Sequence, residues 1–298
     1  MSTESHAFKA PVAATSDIRA ITDGVWVIPD LNHTPLVPNI GIIVGSRATL
    51  IIDPGFGPEN ARAVLEQAQR LSDGRPILLT HTHCHPEHGF GANVIAGDAT
   101  ILYNEAQWLE LEEKGPVLLR MFREQIPPVA PMLEGVEFVR PVLRYTGSMN
   151  LDLGDDIMAE FIEVGGAHSR GDQVILIHGF RPVLFTGDLV EEGNFGILGD
   201  DESHAAPWID RLERLEKLAP DIVVPGHGLV GDRNLINAYR EYLELARRRV
   251  YLLRTAGKLS EAEIVDQVSA EILELHPTWG NSNWARKTVE DFSWPARR

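Results

Sequence analysis

The 298-residue chain has a single cysteine, Cys84, so no disulfide can close within it, which fits a reducing compartment. Long apolar runs are also missing: segments such as 40–44 and 174–177 fall far short of the roughly 20 residues a membrane-spanning helix needs. The opening residues, MSTESHAFKAPVAATSD, hold no apolar stretch of the signal-peptide type. Positive charge is scarce, with 27 Lys and Arg against 43 Asp and Glu and a formal net charge of −16. Such a field repels phosphate backbones and anionic lipid. These absences argue against work on nucleic acid or at a membrane surface, and the expectation is a cytoplasmic protein whose partner is a small molecule. No repeat of 20–50 residues and no low-complexity segment is present, which excludes solenoids and arrays.

What is present is globular, with 44% hydrophobic residues to build a core. After a leader over 1–18, expected to be flexible, β-rich segments at 25–28, 41–44 and 49–52 are punctuated by Gly, Pro and Asp, as strands joined by tight turns are. Ala61, Val64, Leu65 and Ala68 share one face of a helix predicted over 59–71, and an apolar strand over 77–79 follows. The segment 104–125 reads as helix broken at Gly115-Pro116, stopped by Ile126-Pro127-Pro128 and inserted over the sheet edge. Strands are then predicted at 136–139, 158–164, 173–177 and 183–186, a helix at 208–218 and a last strand at 222–224. This alternation predicts an α/β protein. Residues 19–231 form its main domain. From 232 to 298 the chain reads as a helical C-terminal extension packed on that domain. Its Ile236, Tyr239, Leu243, Ala246, Val250 and Leu253 form one stripe, and Ser260 and Glu263, in capping-box spacing, open a further helix.

Four of the eleven histidines fall within eight residues, at His81, His83, His85 and His88, with Glu87 among them. His83 and His85 are two apart, so in an extended loop leaving a strand they project to the same side and reach one metal ion. Pro86 suits the first position of a helix, which sets Glu87 and His88 in the first turn, aimed at a second ion. Imidazole with carboxylate suits Zn2+, with Fe and Mn as alternatives. A register starting at His81-Thr82-His83 puts Pro86 at the last ligand position and fails.

In the register His83-x-His85-x-Glu87-His88, the sequence resembles the metallo-β-lactamase-fold hydrolases, whose motif is His-x-His-x-Asp-His after a strand end. Three later segments extend the resemblance: Gly165-Gly166-Ala167-His168-Ser169-Arg170-Gly171-Asp172, Leu184-Phe185-Thr186-Gly187-Asp188 and Val224-Pro225-Gly226-His227-Gly228. Upstream, Asp53-Pro54-Gly55 resembles the family's early Asp-x-Gly turn, whose aspartate supports the site from behind. The match covers roughly residues 20–230. It implies an αββα four-layer sandwich of the metallo-β-lactamase type, with 19–231 as the catalytic domain. It also implies two Zn2+ per chain, one held by His83, His85 and His168 and one by Glu87, His88 and His227, with Asp188 bridging both. Glu87 departs from the family's Asp, and its extra methylene moves the carboxylate by about 1.5 Å.

Two such ions lower the pKa of a water between them and polarise a carbonyl, with Asp188 orienting the hydroxide and accepting a proton. Asp188 and Glu87 are the catalytic carboxylates of this reading, and no Gly-x-Ser-x-Gly nucleophile motif competes with them. The expectation is a metal-dependent hydrolase using a metal-bridged hydroxide on a small carboxylic ester, lactone, thioester or amide. Within the resemblance, true β-lactamases carry Cys or Ser where this chain has Asp188, which favours the thioesterase and lactonase branches over β-lactamase-like amide hydrolysis. The acidic charge opposes the tRNA-processing branch, and the length leaves no room for the inserted domain of the mRNA-cleaving branch. A second class is a mononuclear iron dioxygenase of the persulfide dioxygenase type, kept open by Glu87 and separable by metal identity. A third, a non-catalytic binding module, fits less well, because a structural zinc takes four ligands in a closed site and seven are offered.

Other residues have plainer readings. His81 is a supporting or solvent-facing residue, and His6, His33, His178, His204 and His276 lack motif context, with His33 and His204 on loops that can face a pocket. Cys84 reads as a packed thiol, and Asp53 and Asp172 serve turns or the site. Trp279, Trp284 and Trp294 suit packing or a homodimer contact. Met121, Phe122, Met132 and the 194–197 loop are pocket wall or core.

Overall fold

The computed structural model describes residues 8–293, so His6 and Trp294 lie outside it. The chain divides into two compact units, one running to Tyr145 and including 152–156, the other comprising 146–151 and the residues from Ile157 onward.

The first unit holds a seven-stranded sheet in sequence order: β1 (Arg19–Thr22), β2 (Val25–Ile28), β3 (Ile40–Val44), β4 (Thr49–Ile52), β5 (Ile77–Thr80), β6 (Ala99–Asn104) and β7 (Leu143–Tyr145). β1 to β4 pair antiparallel, and β4 to β7 parallel. Helix α1 (Gly57–Ser72) makes the crossover from β4 to β5, and its Ala61, Val64, Leu65 and Ala68 pack with Ile42, Ile51, Leu79 and Ile101. Val27, Ile43, Leu50 and Ile52, on the opposite face of the sheet, are buried as well, which is why these strands are unbroken apolar runs. The register pairs Ile52 with Thr80, so the residues that leave β4 and β5 emerge side by side. Ala13, within the leader, is buried and donates its N–H to Asn60 Oδ1 at 2.8 Å.

Two short helices, α2 (Pro86–Gly89) and α3 (Ala92–Ile95), follow β5, and α4 (Glu105–Gln125) follows β6. α4 runs through Gly115-Pro116, correcting the expected break. The proline removes one N–H, but Gly115 lets the ring of Phe138 close in to where a Cβ would stand 2.8 Å away. Residues 136–139 are likewise no strand: Phe138 packs its ring on Phe90, 5.1 Å between centroids, and the position beside β6 is taken by β7, where Leu102 pairs with Leu143.

The second unit, apart from residues 152–154 at the end of β8, which fall in the first, holds a five-stranded sheet ordered β12-β11-β10-β9-β8, from β8 (Ser148–Gly154), β9 (Ile157–Glu163), β10 (Gln173–His178), β11 (Val183–Gly187) and β12 (Ile222–Pro225). β9, β10 and β11 pair antiparallel; β11 and β12 are parallel, joined through α5 (Ala205–Lys217). Then come α6 (Asn234–Ala256), α7 (Glu261–Leu275) and α8 (Ser282–Ser293). One core unites Val174, Leu184 and Val223 of the sheet with Trp208 and Leu212 of α5 and with Ile236, Tyr239, Leu243, Val250, Val268 and Ala285 of the later helices. The predicted stripe faces that core, and the Ser260–Glu263 capping box opens α7. Trp279 and Trp284 pack against the same core.

Candidate metal centre

The loop leaving β5 carries four of the expected ligands. His83 Nε2 lies 3.1 Å from His85 Nδ1, the same-side projection that two-residue spacing on extended backbone produces. Two ligands of one tetrahedral zinc, bonded at 2.0–2.1 Å, stand about 3.3 Å apart, so the pair fits a shared ion. Pro86 opens α2, and Glu87 and His88 in its first turn offer ligand atoms within 4.8 Å of each other.

Both histidines are oriented from behind. His88 Nδ1 is 2.8 Å from Asp53 Oδ2; a proton donated there leaves Nε2 as the ligand lone pair. Asp53, in left-handed backbone with φ 65°, also accepts from the Thr82 N–H at 2.6 Å and the Thr82 hydroxyl at 3.0 Å. With its proton committed to Asp53, Thr82 Oγ1 accepts from His83 Nδ1 at 3.1 Å, which fixes the same tautomer in His83. Gln107 of α4, fully buried, donates Nε2–H to the carbonyls of His81 and Thr82 at 2.8 and 3.0 Å, while its Oε1 accepts from the Asn104 N–H. The ligand loop is thereby tied to the α4 N-terminus. Sequence reading missed Gln107, although the Asn104-x-x-Gln107 capping-box spacing marks it. His81 stacks on Tyr103, rings 4.0 Å apart; burial, then the neighbouring His88, push its imidazole down to about 3, so it is a neutral packed group.

The second unit carries the other three. His168 sits in the turn between β9 and β10. Asp172 holds that turn by accepting from the N–H groups of Ala167 (3.2 Å), His168 (2.8 Å) and Ser169 (2.9 Å) and from the Ser169 hydroxyl (2.6 Å). His168 Nδ1 donates to the Ile197 carbonyl at 3.1 Å, leaving Nε2 3.6 Å from Asp188 Oδ2. Asp188 Oδ1 in turn is 3.6 Å from His227 Nε2. The parallel register sets Gly187 beside Pro225, so Asp188 and His227 leave adjacent strands at one end. Gly226 is required there: a Cβ would stand 1.9 Å from Asp188 Oδ1. Its N–H donates to the Gly187 and Val190 carbonyls.

The structure thus gathers His83, His85, Glu87 and His88 in one unit and His168, Asp188 and His227 in the other. Each set passes a test of donor chemistry: His83, His88 and His168 have Nδ1 engaged, which leaves Nε2 to a metal, and the carboxylates Glu87 and Asp188 beside them are buried. The remaining candidates fall away. His204 Nδ1 lies 3.1 Å from Asp291, docking α5 on α8; His178 pairs with Glu160 across the strands; His276 stacks on Trp279; His33 is exposed. Cys84, Phe122 and Met132 belong to the first core and Phe195 to the second.

Histidines and carboxylates in these motifs, at strand ends of two α/β units, define the class of metal-dependent hydrolases. A profile described as the metallo-beta-lactamase superfamily matches residues 33–227, and the chain belongs to that superfamily. Its function is accordingly of that superfamily's hydrolase type; the superfamily typically binds metal ions, commonly zinc, and the clustered histidines and carboxylates are candidate ligands. The chain is 23% identical over 228 residues to a metallo-beta-lactamase type 2 of Bacillus cereus, covering 74% of this chain and 80% of that one. Among solved structures, a metallo-beta-lactamase from Pontibacter korlensis matches 76% of this chain and 98% of its own, at 18% identity and TM-score 0.60. The stereoselective inverting sec-alkylsulfatase Pisa1 from Pseudomonas sp. matches 94% of this chain and 50% of its own, at 19% identity and TM-score 0.72. These likenesses show the fold, the α/β sandwich expected from the motifs. Among the described residues, no helix is long and apolar enough to cross a membrane.

Proposed function

We propose that the protein is a dinuclear zinc hydrolase of a small carboxylic ester, lactone, thioester or amide, acting in the cytoplasm. In this reading His83, His85 and His168 hold one ion, Glu87, His88 and His227 hold the other, and Asp188 serves both. The observation that carries it is the setting of Asp188, whose two carboxylate oxygens each face a different imidazole at 3.6 Å. A bound metal pair supplies an activated water and polarises the scissile carbonyl. Asp188, buried and held against Gly226, orients the attacking water and takes its proton on a carboxylate oxygen. Asp53 and Thr82 keep His88 and His83 in the tautomers that present Nε2. Glu87, longer than the family's usual aspartate, would be a ligand of the second ion, from the first turn of α2, which Pro86 opens.

The test is elemental analysis of protein purified without added metal, followed by a panel of esters, lactones, thioesters, β-lactams and sulfate esters. About two zinc ions per chain with turnover of a carboxylic substrate is the expected result. Full activity in His83→Ala would overturn the reading. A single iron with oxygen consumption would replace it by the dioxygenase chemistry that the altered second site leaves open.

A further inference from the structure

Trp208, on the first turn of α5, is fully buried and touches His168, the turn that carries Asp188 and the loop that leads to Ile197. Its ring meets the imidazole of His168 edge-on, centroids 5.8 Å apart. Its Nε1–H donates at 3.0 Å to the carbonyl of Leu189, the residue after Asp188. On its far edge it closes on Gly196, where a Cβ would stand 2.9 Å from Cη2. Gly196 precedes Ile197, whose carbonyl fixes the His168 tautomer. One rigid indole therefore spans the ring of one ligand, the backbone beside a second and the loop that orients the first.

The helices after residue 232 hold this plate in place. Tyr239 of α6 packs against the indole, centroids 5.8 Å apart. Asp291 of α8 pins the N-terminus of α5, accepting from the Ala205 N–H at 2.8 Å and meeting His204 Nδ1 at 3.1 Å. A core position needs only an apolar side chain. A buried indole must also find a partner for its N–H, and here that partner lies on the aspartate's own turn.

We infer that Trp208 is a positioning residue for the metal ligands of the second unit, setting His168 Nε2 against Asp188 Oδ2, and that α6 and α8 act on the metal centre through it. The inference rests on the proposed metal-binding function. Partners that orient metal ligands typically contribute 10–100-fold to metal affinity.

The test compares Trp208→Phe, which keeps an aromatic ring and removes the N–H, with Leu212→Ala, which opens the same core one helical turn on. Zn2+ affinity by chelator competition, the visible spectrum of the Co2+ form and the Tm are measured for each. Trp208→Phe is expected to bind Zn2+ about tenfold more weakly or worse and to shift the Co2+ spectrum. Leu212→Ala should lose as much Tm with affinity and spectrum unmoved. Wild-type affinity and spectrum in folded Trp208→Phe would overturn the inference, as would an equal loss of affinity in Leu212→Ala. Should Trp208→Phe fail to fold, Asp291→Ala loosens the N-terminus of α5 from the surface. It is expected to weaken Zn2+ binding severalfold, and unchanged binding there overturns the inference. Wild-type protein that binds neither Zn2+ nor Co2+ would instead defeat the function on which it rests.

Discussion

His88 Nδ1 and Asp53 Oδ2, 35 residues apart in sequence, stand 2.8 Å from each other with both side chains buried. The bond joins the turn after β4 to the helix after β5, and it decides which nitrogen His88 presents. Asp53→Asn isolates that role, because asparagine tolerates the left-handed backbone of φ 65°. An amide donating to Nδ1 drives the imidazole proton onto Nε2, where it blocks a ligand lone pair. The expected outcome is a 10–100-fold loss of affinity for the ion proposed to bind at His88, seen as loss of metal on dialysis, with Tm nearly preserved.

Asp172 sustains its turn without touching the proposed metal. Asp172→Ala removes the acceptor for three buried N–H groups and one hydroxyl, and unmet buried donors cost about 1–3 kcal/mol each before relaxation and water entry. We expect a net destabilisation of about 2–4 kcal/mol in urea unfolding. Added zinc should recover part of the midpoint, since binding to the native state stabilises it.

Gly226→Ala drives a methyl group to within 1.9 Å of Asp188 Oδ1. The added carbon would also stand 2.8 Å from the Gly187 carbonyl carbon and 2.9 Å from the Asp188 nitrogen, and Gly226 is pinned by bonds to Gly187 and Val190, so the Asp188 backbone and its carboxylate must shift together. A displacement of about 1 Å in a reacting group costs on the order of 100-fold in rate. The expected result is a loss of that size in kcat/KM, with metal content reduced and a folded far-UV spectrum retained.

The placement of the candidate ligands was legible because strands buried on both faces are unbroken apolar runs, and most of the candidates follow the end of one. His83, His85, Glu87, His88, Asp188 and His227 stand at such ends, with His168 in the loop between β9 and β10. What escaped was set by tertiary partners. β1, β7 and β8 are largely exposed strands with weak patterns. Residues 136–139 have strand composition but no neighbour to pair with. Gly115-Pro116 breaks a helix by local rules, yet α4 runs through it, with Phe138 packed on Gly115. Gln107 and Trp208 read as ordinary helix residues until the carbonyls they bind, those of His81, Thr82 and Leu189, are in place.

The docking of α7 on α6 has its own pH signature. Arg249 donates Nε–H and Nη2–H to the two oxygens of Glu271 at 2.6 and 2.7 Å, and this bond, helped by Gln267, holds the Glu271 carboxyl below its ordinary value near 4.5. A folded pKa below the unfolded one means that the unfolded chain takes up the proton first. The contribution is therefore full above the ordinary carboxylate range and is lost as pH falls through the folded pKa. Both side chains are about a third exposed, so solvent screening limits the pair to about 0.5–1 kcal/mol. Glu271→Gln should lower the urea midpoint by that amount at pH 7 and differ little from wild type near pH 3. Salt at about 1 M, where screening extends over only about 3 Å, should shrink the pH 7 difference. A difference that held constant across pH would assign the loss to packing of the Glu271 stem in place of its charge.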